Sequence, residues 1–190
     1  MEKAISGDAE KQVPLKNGKT LVLRRPRTED AQAMLGYIAA VGGESDNLLF
    51  GEGGFSLTEA QERAYIERMN ADENSLMLLG FIDGALVSIS QISGSGRPRT
   101  AHNSELAISV RKAHWGVGVG GAAMRALIRY AQQHPRIRVI FLGVRRGNEN
   151  AVALYEKCGF KHIGVRKDFF CIRGEYHDQI MMDLHLAKQV

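Results

Sequence analysis

The chain has 190 residues and a mass of 20.9 kDa, a size that suits one domain with a real hydrophobic core. A hydrophobic fraction of 44% and a charged fraction of 24% exclude the disordered and fibrous classes. The net charge of +4 and pI of about 9.2 are too mild to imply nucleic acid, and no zinc-finger spacing or repeated aromatic and basic platform supports that class.

No apolar run is long enough to cross a bilayer, and residues 1–8 are polar, so neither a membrane nor a secretory route is expected. The expected location is cytoplasmic. Cys158 and Cys171 are too few for a disulfide framework. Neither they nor the six histidines take up metal-ligand spacing, so no metal is expected.

In chain order, residues 19–24 read as a strand that Pro26 stops. Thr28 is placed to cap a helix over 29–41, ended by Gly42 and Gly43. A polar, glycine-rich loop follows to about residue 56. Thr58 and Gln61 then form a capping box that opens a second helix to about Asn70. Residues 76–82 and 85–92 are apolar runs joined by Asp83-Gly84, a hairpin signal.

The strand over about 102–110 alternates, with Leu106, Ile108 and Val110 on one face and Glu105, Ala107 and Ser109 on the other. A glycine run at 116–121 leads into a helix to Gln133, with Gly120, Met124, Leu127, Ile128 and Ala131 as its inward stripe. Residues 139–144 form an apolar strand of central type. Asn148 caps a short helix whose inward face is Ala151, Leu154, Tyr155 and Cys158, and Gly159 ends it. Two last strands, about 160–171 and 176–186, surround a turn at 173–175. This order predicts one α/β domain over 1–190: a mixed, mostly antiparallel central sheet with helices on both faces.

The glycine run carries the chemistry. Gly116, Gly118 and Gly121 satisfy the G-x-G-x-x-G spacing of a dinucleotide fold, but the context fails. The strand after the helix leads to Arg145 and Arg146 instead of an acid for ribose hydroxyls, and the motif follows a hairpin in mid-chain. Two readings remain. Exposed amides at the helix start suit an anion, and a close helix crossing could require the same glycines.

The strand 105–110, the glycine run and the stretch 148–160 together resemble the Gcn5-related N-acetyltransferases, over roughly 18–186. The resemblance implies the acyl-CoA N-acyltransferase fold and transfer of an acetyl group from acetyl-CoA to a primary amine of a small molecule. It also admits a protein N-terminal or lysine amine as acceptor, or a non-catalytic acyl-CoA sensor. The family's pyrophosphate loop falls on Trp115, Gly116, Val117, Gly118, Val119 and Gly120, with Gly121 next. Trp115 stands where the family usually has Arg or Gln.

The resemblance further implies that Ile108, Ser109, Val110 and Arg111 line the thioester side of a gap between splayed strands, with 142–144 on the other side. Asn148 and Ala151 fall to coenzyme contact, Tyr155 to the thioester sulfur, and Glu105 to a general base. The chemistry agrees: an alkyl ammonium with pKa around 10 must lose a proton before its nitrogen attacks. A partly desolvated carboxylate at Glu105 suits that task, and a backbone N–H near Val110 suits the carbonyl.

Basic residues thicken at 136–146 and 161–173, while 44–73 is mostly acidic, which favours an anion on the C-terminal half and a cation on the N-terminal part. The acceptor pocket is expected from 28–71 and 168–180. There Glu44, Asp46, Glu52, Phe50 and Phe55 join Phe169, Phe170, Glu175, Tyr176, His177 and Asp178. The expected partner is a small amine, with no nucleic acid or membrane, and a homodimer stays open.

Overall fold

The computed structural model describes residues 10–53 and 56–187. Eight strands form one sheet: β1 (Lys11–Pro14), β2 (Thr20–Arg24), β3 (Leu76–Ile82), β4 (Ala85–Gly94), β5 (Asn103–Val110), β6 (Val139–Arg145), β7 (Lys161–Ile172) and β8 (Glu175–His185). Their spatial order is β1-β2-β3-β4-β5-β6-β8-β7, and every neighbouring pair is antiparallel except β5 with β6. The expected mixed, mostly antiparallel sheet is the observed one.

Four helices cover it: α1 (Ala31–Gly42), α2 (Glu59–Ala71), α3 (Val119–Gln133) and α4 (Glu149–Lys157). α3 and α4 bury Met124, Leu127, Val152 and Tyr155 against Leu106, Ile140 and Leu142 of the sheet. On the opposite face α1 and α2 bury Met34, Ile66 and Met69 against Met77 and Leu79. Burial of each such side chain stabilises by roughly 1.5–3 kcal/mol, so these two apolar clusters hold the helices to the sheet.

The turn chemistry acts as the sequence predicts. Asp83 and Gly84 have φ 51° and 80°, the left-handed pair that a two-residue hairpin requires. Arg173 and Gly174 repeat the pair at 51° and 83° between β7 and β8. Thr58 Oγ1 accepts the Gln61 amide at 3.3 Å and Gln61 Oε1 accepts the Thr58 amide at 2.8 Å, closing the capping box.

Several expectations are corrected. The sheet starts at Lys11, not at residue 19, because β1 pairs with β2 through a turn containing Asn17-Gly18. Thr28 is no cap: it opens a single 3-10 turn, and Asp30 instead accepts the Arg27 amide at 2.7 Å. Burial pushes the Asp30 carboxyl up, but the Arg24 pair and the Arg27 amide outweigh it and hold it below the usual carboxylate value. Gly120 and Ile128 are only partly buried on α3, though Ile128 packs against the core, and the inward face also includes Ala122, Ala123 and Ala126. β6 is apolar without being covered on both sides: Ile140, Leu142 and Val144 face α3 and α4, whereas Phe141 is exposed on the other face.

Candidate active site

The parallel pairing of β5 with β6 covers only Asn103–Val139, Ser104–Ile140 and Glu105–Phe141. Beyond Glu105 the two strands part, while β5 stays paired to β4 as far as Val110. A gap therefore opens through the sheet with Glu105 at its apex. Arg111 N–H donates to the Val87 carbonyl at 2.9 Å. By the alternation of an antiparallel ladder, the N–H and C=O of Val110 then point the other way, into the gap.

A cleft of about 1750 Å³ runs through this gap. Its lining includes Glu105, Ile108, Ser109, Val110, Trp115 to Gly121, Asn148, Ala151 and Tyr155, whereas Arg111, expected beside Val110, turns to Glu44 instead. On the far side of the gap, Gly143 and Val144 line it and Leu142 does not.

The glycine run divides its labour. Gly116 has φ 75° and Gly118, which caps α3, has φ 110°, a region that L side chains rarely adopt. Gly120 and Gly121 serve packing: a Cβ on either would sit 3.2 Å from Leu154 Cδ2 or Arg125 respectively. Packing thus accounts for Gly120 and Gly121, and backbone conformation for Gly116 and Gly118. The first intrahelical bond is Ala122 N–H to the Gly118 carbonyl, so the preceding amides are not used by the helix. Lys16 and Arg125 lie beside the glycine run, and Lys157 also lines the cleft. Free amides, the helix dipole and these cations fit a pyrophosphate.

Trp115 acquires a definite part. Its Nε1–H donates to the Val110 carbonyl at 2.7 Å, so the indole pins the splayed end of β5 to the glycine loop while remaining 42% exposed. Asn148 caps α4 by accepting the Ala151 amide at 3.3 Å, and its side-chain NH₂ makes no bond to a described residue. Tyr155 is buried beside Phe160, and its phenol makes no hydrogen bond to a described residue. Burial, with a smaller contribution from Cys158, pushes the Tyr155 phenol up to about 12. It therefore keeps its proton at neutral pH and presents an O–H to the cleft. Cys158 is itself half-buried with its thiol pushed up by burial, which suits packing and not nucleophilic attack.

The opposite face of the gap is closed by α1, α2 and the loop between them. Tyr37 OH and Ser109 Oγ share a hydrogen bond of 3.0 Å, and Tyr65 OH donates to Gln91 Oε1 at 2.8 Å. Glu105 is exposed, without the partial desolvation expected of it. The acids expected to receive a cation are largely engaged. Glu44 takes Arg111 Nε and the Lys112 amide, each at 2.6 Å, and Asp46 pairs with Arg173 at 3.0 Å. Asp178 holds Lys167 and Arg146, each at 2.9 Å, and lies with Tyr176 and His177 in a separate small depression. Phe50 and Phe170 do line the main cleft; Phe55 lies outside the described residues. Glu62, which the sequence reading did not single out, lines it as a buried carboxyl.

Residues 44–160 match the family model of the acetyltransferase (GNAT) family, and the chain belongs to that family. It is 34% identical over 91 residues to the N-alpha-acetyltransferase RimI of Mycobacterium tuberculosis, covering 48% of this chain and 55% of that protein. The chain thus spans little more than half the length of that relative. It is 32% identical over 116 residues to the L-amino acid N-acetyltransferase AaaT of Escherichia coli K12, covering 61% of this chain and 72% of that protein. Among solved structures, a GNAT-family acetyltransferase from Streptococcus pneumoniae superposes with a TM-score of 0.85 at 27% identity, covering 87% of this chain and 99% of that one.

Proposed function

We propose that this chain transfers the acetyl group of acetyl-CoA to a primary amine of a small molecule. The observation that carries the reading is the gap itself, which joins an anion cradle on the α3–α4 face to an acceptor pocket on the α1–α2 face. Acetyl-CoA supplies an activated thioester. The amides before Ala122 hold the pyrophosphate, and Asn148 and Ala151 flank the pantetheine arm. Val110 N–H, aimed into the gap, polarises the thioester carbonyl. Glu105, at the apex, takes the proton of the incoming ammonium directly or through water. Tyr155 donates a hydrogen bond to the departing sulfur. Juxtaposing amine and thioester in one cleft supplies much of the rate.

The small-molecule acceptor is supported by the similarity to the E. coli amino acid acetyltransferase, of which this chain covers the larger share. Similarity to the M. tuberculosis N-alpha-acetyltransferase favours a second reading, a protein α-amine. A thiol-release screen with acetyl-CoA over diamines, amino sugars, amino acids and short peptides separates the two. Turnover of small amines above peptides is expected. Turnover of peptides alone selects the second reading, and coenzyme binding without release of thiol from any acceptor defeats both.

The Trp115 indole gives a further prediction. Trp115→Phe keeps an aromatic ring, though a smaller one, and removes the donor to Val110, a bond worth about 1 kcal/mol. The KM for acetyl-CoA is expected to rise about fivefold with kcat less affected; an unchanged KM in steady-state assays refutes the pinning role.

A further inference from the structure

Glu62 is a carboxyl of the cleft that the reaction above does not use. It lies on the inward stripe of α2 with Ile66 and Met69, and only 1% of it is exposed. Its Oε1 has no hydrogen-bond partner, and no ion pair reaches it from any described residue. Burial alone pushes its carboxyl up, with no neighbouring charge to compensate. A buried carboxyl that folding leaves without donors is unusual, and this one lines a ligand cleft.

What surrounds it narrows the ligand. Met34, Ile38, Val41, Leu48, Phe50 and Leu57, from α1 and the segment between α1 and α2, give the cleft an apolar lining on the side of Glu62. The hydroxyls of Tyr37 and Tyr65 are already committed to Ser109 and Gln91, which leaves little to match a sugar. Glu44 and Asp46 are held by arginines. α2 packs over β3, and its Tyr65 reaches Gln91 on β4, whereas the gap borders β5. Glu62 is therefore displaced sideways from the gap by one to two strand spacings, roughly 5–10 Å along the sheet. A single carboxyl so displaced, beyond an apolar stretch, matches a second nitrogen of the acceptor and not the reacting one.

We propose that Glu62 anchors a second, non-reacting ammonium of the acceptor, which is an amine carrying two cationic nitrogens on an apolar spacer. This rests on the acetyl-transfer reading above. Glu62 is a binding and specificity residue; the proton of the reacting nitrogen belongs to Glu105.

The test compares 1,5-diaminopentane with pentylamine on the 190-residue chain. The wild-type protein is expected to show a KM at least tenfold lower for the diamine. Glu62→Gln is expected to raise the diamine KM at least tenfold, to that of pentylamine, with pentylamine itself changed less than threefold. Glu105→Gln, in contrast, lowers kcat for both amines. Coenzyme affinity checks that E62Q is folded, and Glu62→Asp, which keeps the charge, is expected to retain a diamine preference if E62Q is not. No diamine preference in the wild type, or an undiminished preference in E62Q, overturns the proposal. If the wild type releases no thiol with any amine, acetyl transfer has failed, and calorimetric binding of the same two amines to wild type and E62Q still decides the anchor separately.

Discussion

Tyr155→Phe is expected to lower kcat about 100-fold while acetyl-CoA affinity stays within about threefold. The substitution keeps the ring that packs beside Phe160 and removes only the phenolic hydroxyl with its proton. That proton is secure: burial raises the phenol to about 12, so it is present across the neutral range. A thiol of ordinary pKa near 8.5 is the weaker base, so outright transfer from the phenol runs uphill by roughly 5 kcal/mol. The phenol thus acts by donating a hydrogen bond as negative charge builds on sulfur, with solvent completing the protonation. Stopped-flow thiol release under saturating coenzyme, alongside calorimetric binding, measures both halves. Equal turnover in Y155F removes the residue from the chemistry without touching the anion cradle.

Gly118→Val has the second large effect, and on the opposite quantity. A Cβ at Gly118 meets only Leu15 Cδ2 at 3.8 Å, so space is available. The conformation is not: φ 110° costs an L side chain about 1–3 kcal/mol, and a β-branched one suffers most. Relaxing that strain turns the peptides before Ala122 away from their shared aim. Each amide bond to a charged group is worth about 1.5–3 kcal/mol, so losing one or two weakens acetyl-CoA binding about 100-fold. Gly120→Ala is the contrast. Its new methyl presses on the flexible tip of Leu154 and changes binding only a few-fold. Calorimetry on the two variants that found equal losses would contradict the division of roles among the glycines.

Local signals carried much of this architecture into the sequence. Asp83-Gly84, the Thr58–Gln61 box, the alternation of β5 and the Asn148 cap each depend on residues a few positions apart, and each appears as read. The short β1 was hidden because four residues ending in Pro14 make a weak strand pattern, although Asn17-Gly18 marked the turn that folds it back. The acceptor side was less legible because its charges are settled over long separations. Glu44 meets Arg111 67 positions later, and Asp46 meets Arg173 127 positions later. Glu62 sits between Gln61 and Arg63 and reads as a solvated helix position; only the seating of α2 on the sheet buries it.

The hydrogen bond from Trp115 to the end of β5 has a practical consequence. The chain contains one tryptophan, and that indole lines the cleft with 42% of its surface in contact with water. Its emission therefore comes from a single place, beside the carbonyl of Val110 and the start of the glycine loop. Filling the cleft exchanges water around the ring for ligand, so a fluorescence titration reads occupancy at that spot directly, without a label or an added reporter.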